Sequence, residues 1–175
     1  DLQMVICGGS AMPRSMIKAF LDMGSNVRHA WGMTEMSPIG SVAALKPPFQ
    51  NATGDARLDV LQMQGYAPFA VEMKITDDAG KELPWDGKTF GRLKVSGPAV
   101  AKAYYRLDAN ILDEDGFFDT GDVSTIDEDG YMRITDRSKD VIKSGGEWIS
   151  SIQLEDVALS HPDVLQAAVV AINHE

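Results

Sequence analysis

The chain has 175 residues, 44% of them apolar and 24% charged, with a formal net charge of −10. That length and composition allow one ordinary domain with a packed core, and the acidic balance excludes a dedicated nucleic-acid binder, which needs a basic face to displace counterions from phosphates. A single cysteine, Cys7, excludes an intramolecular disulfide framework and points to a reducing, cytoplasmic compartment, and no apolar run approaches the roughly 20 residues of a transmembrane segment.

Residues 2–7, LQMVIC, predict a buried strand that starts almost at the first residue. Gly8-Gly9-Ser10 follows, with Ser10 placed to cap a helix that begins near Pro13. Met12, Met16 and Phe20 recur at i, i+4 and i+8 and predict one apolar stripe. Gly24 stops the helix, and NVRHAW gives a second strand, so residues 2–31 form a βαβ unit. Ligands bind where the strands of an open parallel sheet end. Gly8-Gly9 and Gly32-Met33-Thr34-Glu35 are therefore expected to be neighbours in space. Residues 40–60, with Pro47-Pro48 and Gly54, read as irregular.

From about 65 to 135, short strands alternate with DDAG and two DEDG turns, which predicts an antiparallel sheet or small barrel. Further on, Ser150 and Gln153 make a capping box. Leu154, Val157 and Ala158 are expected to form the buried face of a short helix, which His161-Pro162 ends. VLQAAVVAI, 164–172, predicts a last strand. A chain that begins and ends inside core elements is expected to be a piece of a longer one.

Several stretches carry chemistry. The DEDG segments fail as calcium loops, because Ile111 and Thr125 stand where the first carboxylate is needed. CGGSAMP fails as a nucleophile elbow, because Met12 stands where Gly is required. In WGMTEMSP, Thr34 and Glu35 lie just past a strand end, where a hydroxyl and a carboxylate suit a phosphate oxygen and Mg²⁺. Trp31 is available there to stack on a base. Taken alone, that stretch is better explained as a loop with a capping Thr and a surface Glu. DGFFDTGD sets Asp119, Thr120 and Asp122 around a tight Gly, a device for gripping ribose hydroxyls or an ordinary β-turn. DRSKDVIKSGGEW, 136–148, puts five charges into eight residues before a Gly pair. Arg137 suits bidentate contact with oxygens and Lys139 is a mobile point charge, while Gly145-Gly146 allows close approach by a ligand.

In order, the chain carries GGSAMP, WGMTE, GRLKVSGPAVAKAYY, DGFFDTGD and GYMRITDRSKDVIKSGGEWIS. It resembles the adenylate-forming acyl-CoA synthetase superfamily, which also holds peptide-synthetase adenylation domains and firefly luciferase. WGMTEMSP and IKSGGEWISS look most like the fatty-acyl-CoA ligase branch, including its methylmercaptopropionate ligase relatives. The resemblance implies an AMP-forming ligase acting on a medium- or long-chain fatty acid, or a related acid such as methylmercaptopropionate, with ATP, Mg²⁺ and coenzyme A. A carrier-protein-loading adenylation domain and a non-catalytic nucleotide-binding module of the same fold are the alternatives. Oligomeric state is open, with a homodimer among the options.

The fold implied is α/β plus β-rich. Residues 1–135 correspond to the C-terminal part of a large domain, with a βαβ unit over 1–40 and a β-rich, barrel-like subdomain over 41–135. Residues 136–140 correspond to a hinge and 141–175 to the start of a mobile α+β lid. By position, Gly8, Gly9 and Ser10 match the segment lining the adenine and acyl pocket. Trp31, beside Gly32, stands at the base-stacking aromatic, usually Tyr, and so keeps a stacking face but loses a hydroxyl. Thr34 matches the phosphate contact and Glu35 the Mg²⁺ ligand. Asp122 and Arg137 match the ribose contacts, and Lys139 the hinge. Lys143, Gly145, Gly146, Glu147 and Trp148 match the segment that meets coenzyme A. Arg92 replaces a common Glu and is expected to be structural, and Gln153 replaces a common acidic residue. The phosphate loop and the far C-terminal lysine of the family are absent from this sequence, so the 175 residues alone are expected to be inactive.

Overall fold

The computed structural model describes residues 2–139, 141–144 and 147–172, with backbone only for 143, 144, 147 and 148. Strand β1 (Met4–Gly8) leads into helix α1 (Arg14–Asp22) and strand β2 (Asn26–Gly32), which pairs parallel to β1 with Gly8 opposite Ala30. The expected βαβ unit is present. Its helix differs in two details. Pro13, not Ser10, is the N-cap, and its carbonyl accepts from Met16 and Ile17 N–H. Ser10 lies too far upstream to reach the first turn. The buried side chain is Ile17, with Phe20 and Leu21 packed beside the core, while Met16 is exposed. Starting the helix at Arg14 leaves Met12 outside it, so the stripe counted from Met12 is rotated.

Residues 40–60 are not irregular. Strand β3 (Ile39–Val42) adds antiparallel to β2, and helix α2 (Gly54–Gln62) follows. Leu58 and Leu61 of α2 share a core with Met12, Ile17 and Val27, with Val5 and Cys7 packed against it, so both helices cover one face of the β1–β2 sheet. Burial of this apolar surface is the main force holding the layer together.

The second sheet holds β4 (Glu72–Thr76), β5 (Gly91–Ser96), β6 (Phe118–Ile126) and β7 (Met132–Arg137), all antiparallel in the order β4-β5-β6-β7. The alternating burial of β5, from Gly91 to Ser96, marks its two faces. The sheet is open, with β4 and β7 at its edges, so it is not a barrel. Asp77, Asp113 and Asp127 each accept backbone N–H groups of their own turns, as the DDAG and DEDG signals require.

Residues 64–66 join the two sheets. Val42 bridges to Tyr66 on one side and Gly65 bridges to Met132 on the other. Gly65 has φ +89°, and a Cβ there would lie 2.0 Å from the Val42 carbonyl carbon, so only glycine fits. The Tyr131 hydroxyl donates to Ala44 O at 2.6 Å and accepts from Lys46 N–H at 2.8 Å, tying β7 to the segment after β3.

Beyond Arg137, short strands β8 (Ile142–Ser144) and β9 (Glu147–Ile149) pair antiparallel, and helix α3 (Ser151–Leu159) packs on β7. Ser150 Oγ caps α3 by accepting from Gln153 N–H at 3.2 Å, so Gln153 serves the cap through its backbone. The expected buried face is not the one used: Leu154 and Val157 are exposed. No strand forms over 164–172. Leu165 and Ile172 are 97% and 84% exposed there, and no strand among the described residues pairs with the segment. An apolar run becomes a strand only where a neighbour completes its hydrogen bonds.

Candidate nucleotide site

A cavity of about 190 Å³ opens where the two sheets meet. Its walls come from Gly9, Ser10 and Ala11 after β1, from His29 to Gly32 on β2, from Gln64, from Asp122 on β6, and from Ile134, Asp136 and Arg137 on β7, with Ile152 of α3 at the rim. Gly9 and Gly32, from the two strand ends expected to be neighbours, share this cavity with residues of the second sheet, whereas Met33, Thr34 and Glu35 lie outside its lining. Gly8 lies just behind, paired to Ala30. Gly32 is required by packing, since a Cβ there would lie 1.8 Å from the Pro38 carbonyl oxygen.

DGFFDTGD is not an isolated β-turn. Asp119 to Asp122 lie within β6, at a bulge where register slips and Gly121 takes φ +73°. Bulges re-aim side chains. The two carboxylates are sorted by their partners. Asp119 Oδ2 accepts from Arg92 Nε and Nη2 at 3.0 and 2.8 Å, which gives Arg92 its structural role. Asp122 is 3% exposed and faces the cavity. Its Oδ2 accepts from the Trp31 indole N–H at 2.9 Å, and its Oδ1 lies 3.1 Å from Arg137 Nε. Burial pushes the Asp122 carboxyl above the ordinary range, against the opposing pull of Arg137 and Trp31. Trp31 lines the cavity, is 9% exposed, and gives its indole N–H to Asp122.

Thr34 and Glu35 open a 3-10 turn, Thr34–Met36, just past β2. Thr34 is exposed and Glu35 half-buried. Glu35 Oε1 accepts from the Tyr104 hydroxyl at 2.6 Å, and Glu35 O accepts from Ala101 N–H at 2.7 Å. The Tyr104 bond, first among several causes, holds Glu35 below the ordinary carboxylate value, and the charge of Arg137 adds to it. The donor set fits Mg²⁺, which is commonly bound by one or two carboxylates while substrate phosphates and water fill its other positions. Lys139 is exposed in the turn after β7. Gly145 and Gly146 lie outside the described residues, as do the side chains of Lys143, Glu147 and Trp148. The backbone places Lys143 opposite Trp148 in the β8–β9 ribbon.

The family model described as AMP-binding enzyme matches residues 1–105. The chain belongs to this family. It is 48% identical to a medium-chain fatty acid–CoA ligase of Ectopseudomonas oleovorans, covering 100% of this chain and 32% of that protein. It is 47% identical to a 3-methylmercaptopropionyl-CoA ligase of Ruegeria lacuscaerulensis, covering 99% and 32%. It therefore spans about a third of the length of these relatives. Its fold matches o-succinylbenzoate CoA synthetase of Bacillus subtilis, solved with the acyl-adenylate OSB-AMP, at TM-score 0.81 and 30% identity over 98% of this chain and 34% of that one. The same synthetase solved with ATP and magnesium matches at TM-score 0.80 and 30% identity, over 99% of this chain and 34% of that one.

The sequence motifs did not mark Gln64 and Asp136 as cavity residues or Tyr104 as the partner of Glu35. Asp136 and Tyr104 stood inside quoted motifs. Nothing local marked Gln64, whose Oε1 accepts from Ile134 N–H at 2.6 Å.

Proposed function

We propose that the protein containing this chain is an AMP-forming acyl-CoA ligase that activates a medium- or long-chain fatty acid, or a related acid such as methylmercaptopropionate. The observation that carries this reading is the cavity in which Ser10, Trp31, Asp122 and Arg137 converge from both sheets. In this reading the substrate carboxylate attacks the α-phosphorus of ATP and pyrophosphate leaves. The thiol of coenzyme A then attacks the acyl carbonyl, loses its proton, and AMP departs with the bonding electron pair. Asp122 holds the ribose, and Arg137 supports the sugar beside it. The Gly8-Gly9-Ser10 segment lines the adenine and acyl pocket, and Thr34 contacts phosphate. Glu35 would hold Mg²⁺, which when bound neutralises phosphate charge. Such chemistry depends on positioning and charge neutralisation more than on covalent help from the protein.

Lys139 is the proposed hinge between residues 1–135 and the lid beginning at 141. The segment from Lys143 through Gly145, Gly146 and Glu147 to Trp148 meets coenzyme A after the swing. The names of the fatty acid and methylmercaptopropionate ligase relatives support the acid class, and the ATP–magnesium complex of the Bacillus synthetase supports the nucleotide and metal.

The test uses the full-length protein. Acid-dependent exchange of labelled pyrophosphate into ATP, followed by thioester formation across acids of graded length, is expected. AMP binding without exchange for any acid would instead indicate a non-catalytic nucleotide-binding module. Exchange without transfer to coenzyme A would indicate carrier-protein loading.

A further inference from the structure

Asp122 does not meet a ligand as a free carboxylate. A carboxylate offers about four lone-pair sites, two per oxygen. Trp31 N–H occupies one site on Oδ2 at 2.9 Å, and Arg137 Nε lies 3.1 Å from Oδ1. One site per oxygen remains, which matches two neighbouring hydroxyls of a ribose. The orientation is set mainly by Trp31. Arg137 is half-exposed, whereas Trp31 is packed into the core with Met36, and its six-membered ring lies against Gly40. A Cβ at position 40 would stand 2.3 Å from Trp31 Cζ3, so the absence of a side chain there makes room for the ring. The indole is held between Gly40 and Asp122, with its N–H directed at the carboxylate. A packed ring with a fixed N–H is a preorganised donor, and preorganisation lowers the cost of binding.

We propose that Trp31 is a positioning residue for the ribose carboxylate: its indole N–H orients Asp122 so that one free lone pair on each oxygen faces the paired hydroxyls of a ribonucleotide. This rests on the nucleotide reading above. It makes binding depend strongly on those hydroxyls, so deoxy nucleotides are poor ligands for a reason that includes Trp31.

The experiment measures AMP and 2′,3′-dideoxyAMP binding to the full-length protein by calorimetry. Two changes are compared. Trp31→Phe keeps an aromatic ring without the N–H, and benzothienylalanine at position 31 keeps the full bicyclic shape with sulfur in place of N–H. Thermal unfolding confirms that each variant is folded, and the isosteric benzothienylalanine protein decides the matter if Trp31→Phe does not fold. Loss of a hydrogen bond to a charged group weakens binding by about tenfold. AMP is expected to weaken by about that factor in both variants, while dideoxyAMP, which cannot use Asp122, changes by less than about twofold. Equal weakening of both ligands would make Trp31 a stacking or packing residue and overturn the proposal, as would no weakening of AMP. If the unmodified protein binds both ligands equally, Asp122 does not hold the ribose and the proposal fails. If it binds neither, the nucleotide reading itself fails.

Discussion

Burial raises the pKa of Asp122 while Arg137 and Trp31 oppose the rise, so the folded protein binds a proton there more readily than the unfolded chain does. The sign follows by linkage. Stability falls as pH rises from the unfolded value through the raised folded value, and at neutral pH the buried charge is a net cost. Asp122→Asn should therefore raise the melting temperature at pH 7, and that gain should shrink as pH drops below the raised pKa. The same change should weaken AMP binding by at least about tenfold, because charged hydrogen bonds to the ribose are lost. Scanning calorimetry against pH and an AMP titration check the two halves. Glu35 is the opposite case, held low chiefly by the Tyr104 hydroxyl at 2.6 Å. Tyr104→Phe frees the carboxylate to rotate, and ATP binding with Mg²⁺ should weaken by several-fold for loss of one such bond. ATP binding after Mg²⁺ is removed by chelation should be unchanged. Equal weakening with and without the metal would mean that Tyr104 acts on the fold and not through Glu35.

The segment 64–66 couples the elements that carry these residues, since it bridges β3 to β7 through single residue pairs. Gly65→Ala forces a Cβ into the Val42 backbone at φ +89°, and the site cannot relax without separating the sheets. A loss on the order of 3–5 kcal/mol is expected in denaturant unfolding, in the range of severe strain and overpacking. Nucleotide affinity should fall with it, because the cavity walls stand on both sheets. The strands were legible because alternation and DG turns are local signals, as Gly91–Ser96 shows with its strictly alternating burial. Helix α2 was not, because Leu58, Val60 and Leu61 are all buried and do not form one stripe on a polar helix. The exposed face of α3 and the unpaired 164–172 segment failed for another reason: apolar sequence reports a capacity to be buried, and partners decide whether it is. Of the residues that the motifs single out, Asp122 and Arg137 line the cavity, while Thr34 and Glu35 lie outside its lining. What the motifs omitted were contacts between them, Trp31 with Asp122 and Tyr104 with Glu35, which depend on distant segments meeting.

At the scale of the molecule, the segment after β7 is attached in two different ways. Before Lys139, the chain is fixed: Ser138 N–H and Oγ both reach Gly121 O, at 2.9 and 3.1 Å. Beyond it, α3 is held by a few polar contacts. Ser150 Oγ donates to Thr135 O at 2.7 Å, Ser151 N–H to Asp136 Oδ2 at 3.1 Å, and Gln62 Nε2 to Asp156 Oδ2 at 3.0 Å. With Leu154 and Val157 exposed, the apolar seal there is small. A lid swinging about the proposed hinge at Lys139 would exchange these bonds for bonds to water, at a net cost of about 1 kcal/mol each. That makes them a latch that can open. The pivot must absorb a backbone rotation, and proline removes it by fixing φ near −65° and restricting the residue before it. In the full-length protein, Lys139→Pro should leave acid-dependent pyrophosphate exchange within a few-fold of its starting rate and slow thioester formation by much more, since only the second half-reaction requires the swing. Measuring the two half-reactions separately decides it. Equal loss of both would place the pivot elsewhere, and with it the boundary at 136–140.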